Sequence, residues 1–107
     1  MKKQSIVFVE FFPRFWYNLS VMFQIWAKVI VDQKIVRQTV YKNDAPYRHH
    51  EFFSYAADIC YALDIPTPVV LKSHIVNFAK FNHVKFAPRD FLETVDFDAL
   101  LFERILL

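Results

Sequence analysis

The four histidines and the single cysteine are the residues of this sequence best suited to chemistry. His50, Ser54 and Asp58 are spaced by four, so a helix would stack them in one column on its surface. A histidine beside a carboxylate can transfer protons or hold a metal. Here, however, two helical turns separate His50 from Asp58, which is about 12 Å and too far for a hydrogen bond. We therefore interpret the column as a solvated polar face.

The other candidates are better explained by structural roles. His74 shares a helical stripe with Leu71 and Phe78, which indicates a partly buried imidazole bonded to a backbone group or a carboxylate. Cys60 falls on the apolar face of a predicted helix, where a thiol is typically a small hydrophobe and not a nucleophile. The histidines include no H-x-x-x-H pair, so the metal signal is weak. An enzyme that uses His49, His50, His74 and Asp96 is therefore the least favoured interpretation.

Four carboxylates within nine residues could hold a hard cation if their loop curled around it: Asp90, Glu93, Asp96 and Asp98. The chain contains no glycine, which makes such a sharp turn difficult. The same lack excludes glycine-rich phosphate loops, dinucleotide fingerprints and the G-x-S-x-G elbow. We expect helix capping and solvated charge from these carboxylates. The sequence thus predicts no metal and no cofactor, and it favours a non-catalytic protein.

The first third of the chain predicts strands. Residues 4–12 are rich in Val, Ile and Phe, and residues 17–32 alternate between apolar and polar side chains with a period of two. The polar residues of the second segment would also fit one stripe of a helix, but its β-branched and aromatic residues favour a strand that bends, bulges or divides. A turn at 32–34 leads into a further strand at 35–41.

Two helices follow. Asn43 or Asp44 is predicted to cap the first, with Pro46 in its early turn and an apolar face that ends before Pro66. Thr67 and the proline after it predict the start of the second, which ends near residue 82 in a left-handed conformation. We then expect a brief strand at 84–86 and a turn at 88–90. Residues 99–106 fit either a closing strand or a terminal helix, and we favour the strand.

These elements predict a single α+β domain over residues 1–107: an antiparallel β-meander of three to four strands, with two consecutive helices packed on one face. A length of 107 residues fits one domain. A hydrophobic fraction of 55% against 22% charged residues excludes disorder of the whole chain.

The expected compartment is the cytoplasm. One cysteine cannot form an intramolecular disulfide, and the N-terminus lacks the regions of a secretory signal. The most membrane-like segment, residues 15–31, is short for a spanning helix and is interrupted by polar side chains and Lys28. We therefore expect no membrane association.

The long strand has apolar residues on both sides. Its odd positions are already apolar, and the even, otherwise polar side carries Trp16, Met22, Trp26 and Ile30. The helices can cover one side only, so the other needs a curled sheet, a second subunit or a foreign partner. The leading hypothesis is a small non-catalytic interaction protein that forms a homo-oligomer through these four residues.

The alternative hypothesis is a nucleic-acid-binding accessory protein. The chain carries eight bases and three acids up to Arg48, and five bases and eight acids after it. Basic residues next to aromatic ones can form a stacking platform for a single strand, and the candidates are Arg14, Lys28, Lys34 and Arg37. The overall charge of +2 is small for this role.

Overall fold

A computed structural model describes residues 22–106. The strands are β1 (Phe23–Val31), β2 (Lys34–Asn43), β3 (His83–Phe86) and β4 (Ala99–Ile105), and the helices are α1 (Phe52–Leu63) and α2 (Lys72–Phe81). Short 3-10 turns span His49–Glu51 and Pro88–Asp90. The four strands form one antiparallel sheet, so the predicted α+β class is confirmed. The strand predicted at residues 4–12 lies outside the described residues.

The strand order is β2-β1-β4-β3. Two hairpins, β1–β2 and β3–β4, lie side by side, and α1 and α2 connect strands at opposite edges of the sheet. This connection places β4 beside β1, although the two strands are far apart in the sequence. The order therefore differs from a meander in which each strand neighbours the next along the chain.

β1 shows the alternation expected from its sequence. Phe23, Ile25, Ala27 and Val29 are buried on the side that faces the helices, which we call the inner face. The intervening residues lie on the opposite side, which we call the outer face. The register with β2 shifts between Val29 and Ile30. The extra residue at this β-bulge is Val36 of β2, so the irregularity predicted for the long first strand lies in its partner strand instead of in β1.

A two-residue turn joins β1 to β2. Asp32 and Gln33 both have positive φ, 52° and 65°, the left-handed conformation that the tightest hairpin turns require. The backbone N–H of Asp32 donates to Oδ2 of Asp98 at 2.8 Å, which fixes the turn against the segment before β4. Lys34 already belongs to β2, so the turn is one residue shorter than predicted.

Both predicted helix starts are wrong. Asn43 is the last residue of β2, and its Oδ1 accepts a hydrogen bond from the N–H of Ala45 at 2.9 Å, while Asp44 is exposed beyond the strand. This local bond turns the chain, so α1 begins only at Phe52. α2 begins at Lys72 and not at Thr67, because His74 provides the acceptor at its start.

The helix ends follow the sequence more closely. Asn82 follows the last residue of α2 with φ of 63°, as predicted, and Asp64 follows the last residue of α1 with φ of 59°. The strands at 84–86 and 99–106 are confirmed as β3 and β4.

Aromatic rings dominate the core between the helices and the inner face. Phe52 of α1 lies 5.3 Å from Phe78 of α2 and 6.0 Å from Phe102 of β4, between ring centroids. Phe102 contacts Phe86 of β3 edge to face at 5.3 Å. A chain of such contacts therefore links both helices to the β3–β4 hairpin.

Burial of hydroxyl and thiol groups in this core raises several pKa values. Desolvation raises the pKa of Tyr47 and of Cys60 to about 12, and it also raises the pKa of Tyr55. The hydroxyl of Tyr55 accepts a hydrogen bond from the N–H of Arg48 at 3.2 Å, whereas the buried hydroxyl of Tyr47 has no partner among the described residues. The hydroxyl of Tyr47 therefore lowers the stability of the fold, because it is buried without a hydrogen bond.

We expect Gln33→Gly to raise the free energy of unfolding by about 0.5–1 kcal/mol, because glycine adopts positive φ without a Cβ clash. Urea denaturation measures the difference. Gln33→Ala is the control, since it keeps the Cβ and should give no gain. Equal stabilisation by both substitutions would contradict the strain at this turn.

We expect stability to fall as the pH rises from about 10 towards 12. The folded chain holds the Tyr47 proton more tightly than the unfolded chain does, so the unfolded state ionises first and is favoured at alkaline pH. Tyr47→Phe should flatten this fall and add about 1 kcal/mol at neutral pH, because it removes the unpartnered hydroxyl. Urea denaturation at pH 8 to 11 tests both effects. An unchanged pH dependence in Tyr47→Phe would show that the Tyr47 hydroxyl does not cause the loss of stability at alkaline pH.

Candidate functional site: the outer face of the sheet

The outer face presents alternate residues of all four strands. Strand register places Trp26 between Val40 of β2 and Glu103 of β4, and it places Lys28 between Gln38 and Leu101. His83 and Lys85 of β3 continue these two rows beyond β4. Because α1 and α2 pack on the inner face, the outer face is the side of the sheet that these two helices do not cover.

A polar network orients the tryptophan at the centre of this face. The indole Nε1–H of Trp26 donates to Oε1 of Gln38 at 2.9 Å. Nζ of Lys28 lies 3.9 Å from the centroid of the Trp26 ring and donates to Oε1 of Glu103 at 3.0 Å. The Lys28 side chain is only 14% exposed, against 52% for Glu103. The lysine charge is therefore compensated within the chain by a carboxylate and by a ring face.

The face has an apolar centre and a charged margin. Its partly buried apolar residues lie on the two central strands, β1 and β4, and on β2: Trp26, Ile30, Val40, Leu101 and Ile105. Lys42 and Lys85 lie on the two edge strands. An apolar centre with a polar rim is the usual anatomy of a protein–protein interface.

Three of the four predicted interface residues lie within the described chain. Trp26 and Ile30 share the outer face, and Met22 directly precedes β1, half exposed, with its N–H donating to the carbonyl of Asn43 at 2.8 Å. Trp16 lies outside the described residues. Sequence reasoning missed Glu103 and the apolar residues of β4, although the alternation of residues 99–106 contains the signal.

The three described residues that were predicted to contact nucleic acid do not share one face of the sheet. Lys28 is on the outer face, whereas Arg37 is opposite Val29 and so on the inner face. Nη1 of Arg37 donates to the carbonyls of Leu63 and Asp64 at 2.8 and 3.2 Å, where a cation stabilises the C-terminus of α1. Lys34 is exposed at the start of β2, and Arg14 lies outside the described residues.

His74 fixes the start of α2. Its Nδ1 accepts the N–H of Leu71 at 2.9 Å, and its Nε2 lies 3.6 Å from Oδ2 of Asp90, which also accepts the N–H of Ala87 at 2.8 Å. The ring is buried 4.6 Å from that of Phe86, between centroids. The predicted buried imidazole with a backbone partner is confirmed. Because Nδ1 accepts a backbone N–H and the ring is buried against Phe86, His74 has a structural role.

His49, His50 and Cys60 lie just before or within α1. His49 and His50 are exposed on the 3-10 turn before α1, and Cys60 is fully buried within α1. Within residues 22–106, no group of three or more His, Cys, Asp or Glu side chains is placed to hold a metal ion. Asp90 accepts the N–H of Ala87 at the start of the second 3-10 turn, which fits the expected helix capping, whereas Asp98 accepts the N–H of Asp32 in the β1–β2 turn.

Two adjoining depressions of ≈ 570 and ≈ 410 Å³ lie beside the end of α1 and share Asp64, Ile65, Pro66 and Glu93. The smaller one also includes Arg37, whose guanidinium is held by the helix carbonyls. Among the described residues, the buried side-chain atom without a hydrogen-bond partner is the hydroxyl of Tyr47, which does not line these depressions. These depressions thus lack a buried polar side chain that is free to orient a ligand.

Comparisons with known proteins provide no relative: no family model matches the chain, and no curated protein or solved structure is significantly similar to it. Within residues 22–106, neither helix is long and apolar enough to cross a bilayer. The functional assignment therefore depends on the geometry of the outer face.

We expect His74→Ala to lower the free energy of unfolding by about 2–3 kcal/mol, because it leaves the N–H of Leu71 without its acceptor and opens a cavity beside Phe86. His83→Ala is the matched control, an exposed histidine whose loss should change stability by less than about 0.5 kcal/mol. Urea denaturation compares the two. Similar values for both variants would contradict the structural role of His74.

Proposed function

We propose that this protein is a small non-catalytic interaction protein that associates with further copies of itself through the outer face of its sheet. The observation that carries the proposal is the apolar centre around Trp26, on the side of the sheet opposite both helices. Trp26 is an anchor of the kind that dominates binding energy at interfaces, since it is large, aromatic and central.

The charge arrangement supports a second copy as the partner. Lys28 is neutralised by Glu103 within its own chain, so two stacked faces do not bring uncompensated ammonium groups together at the centre. Glu103 keeps half of its side chain exposed and can also accept a lysine from the margin of the facing copy. A self-complementary patch of this kind is what a two-fold interface requires.

Cys60 supports a cytoplasmic location as part of the same proposal. It is buried and forms no disulfide, and burial raises its pKa to about 12, so the thiol is unreactive in a reducing compartment. The proposed role requires no redox chemistry at this residue.

We expect light scattering at micromolar concentration to show a species larger than a monomer, and Trp26→Glu to shift it to a smaller one. A buried carboxylate at the centre of the face should weaken the association roughly 100-fold. Phe53→Glu is the matched control, because Phe53 is an exposed aromatic residue of α1, away from this face. A monomeric wild type, or a Trp26→Glu variant of unchanged mass, would contradict the proposal.

A further inference from the structure

Arg104 is a charged residue on the helix side of the sheet. It follows Phe102 at the next inward position of β4, and strand register places it opposite Ile25, which is fully buried on the inner face. Its guanidinium carbon lies 4.8 Å from the centroid of the Tyr47 ring and 5.8 Å from that of Phe23. A cation that is partly removed from water in this way requires compensation.

The guanidinium of Arg104 lacks the oxygen partners that another arginine of the sheet has. Nη1 of Arg37, on the inner face of β2, donates to the carbonyls of Leu63 and Asp64 at 2.8 and 3.2 Å. Within residues 22–106, neither a carboxylate nor a carbonyl accepts a proton from the Arg104 guanidinium. The two aromatic rings attract its charge but offer no oxygen to its five N–H donors.

The hydroxyl of Tyr47 lacks an acceptor at the same place. It is buried without a partner among the described residues, and it belongs to the ring against which Arg104 packs. Burial raises the pKa of Tyr47 and the charge of Arg104 opposes this effect, so the two groups lie within electrostatic range. Both residues are partly exposed, so a small anion can approach them from solvent.

We propose that Arg104 and the hydroxyl of Tyr47 form a binding site for a carboxylate ligand. The planar fork of a guanidinium matches the two oxygens of a carboxylate, and one of these oxygens can also accept the O–H of Tyr47. The ligand supplies the acceptors that both donors lack. The site lies on the inner side of the sheet, so it goes beyond the proposed self-association and does not depend on it.

The charges around the site favour a carboxylate over a phosphate. Arg104 contributes one positive charge, and Tyr47 is neutral at pH 7 because burial raises its pKa. Burial also raises the pKa of the neighbouring Tyr55, on which Arg48 and Glu51 act in opposite directions, so their charges offset each other. A carboxylate therefore neutralises the site, whereas a phosphate dianion would leave an excess negative charge beside the core.

The test follows the side-chain Nε–Hε resonance of Arg104 by NMR at pH 7, while sodium acetate replaces sodium chloride at constant ionic strength. We expect this resonance to shift and to saturate, and that of Arg37, which is bonded within the chain, to stay in place. An Arg104 resonance that acetate does not move overturns the proposal. Tighter binding of inorganic phosphate than of acetate overturns the assignment to a carboxylate.

A second arm distinguishes two sources of the carboxylate, a free small acid and the end of a peptide chain. It compares acetate with acetyl-alanyl-alanine and with the C-terminal amide of this peptide. Tighter binding of the peptide acid than of acetate supports a chain end, and equal binding supports a small acid. Equal binding of the peptide acid and its amide overturns recognition of the carboxylate.

Two variants test the two donors separately, with binding followed through backbone amide resonances. Arg104→Lys keeps the charge but loses the fork, and Tyr47→Phe keeps the ring but loses the hydroxyl, so each should weaken acetate binding roughly tenfold. Arg89→Lys, at an exposed arginine, is the matched control and should leave the affinity unchanged. Tyr47→Phe is expected to be more stable than the wild type, so its loss of binding cannot come from unfolding. Unchanged affinity in both variants overturns the site, and a loss in Arg104→Lys alone overturns the role of the hydroxyl.

Discussion

Contacts between aromatic rings on one face of the sheet hold the whole structure together. Tyr41 of β2 lies 5.8 Å from Tyr55 of α1, and Phe23 of β1 lies 4.9 Å from the same ring, between centroids. Tyr47, in the segment before α1, touches both Phe23 and Phe78 of α2. Because the sheet offers these rings on its inner face only, both helices are fixed there. As a consequence of this one-sided core, neither helix covers the outer face.

The lack of glycine imposes a second constraint. Four described residues adopt positive φ, and all carry side chains: Asp32, Gln33, Asp64 and Asn82. Each lies at a hairpin turn or a helix end, where glycine would normally relieve the Cβ clash. Side-chain bonds compensate in part, as when Asp98 accepts the N–H of Asp32. The burial of large rings must therefore supply the stability that these turns reduce.

The sequence predicted the elements better than their beginnings and their order. Alternation identified β1 and the apolar stripes identified both helices, because periodicity reflects which side of an element is buried. The helix starts were missed because Asn43 and His74 use their side chains to bond nearby backbone groups, which no periodicity records. The strand order was not predicted because it depends on pairing between residues that are far apart in the sequence. The same limit applies to the site, since alternation marked Trp26 but not Glu103, the residue of β4 that pairs with it.

The pairing of β1 with β4 has a consequence for how the chain is made. Gln24 pairs with Ile105, and Ile30 pairs with Ala99, so the centre of the sheet joins segments from the two ends of the described chain. Such non-local pairing is slow, because loop-closure entropy must be overcome before the contacts form. During synthesis, the β1–β2 hairpin emerges from the ribosome long before its central neighbour exists. Until β4 has been synthesised, the apolar side of this hairpin is exposed to chaperones and to other nascent chains.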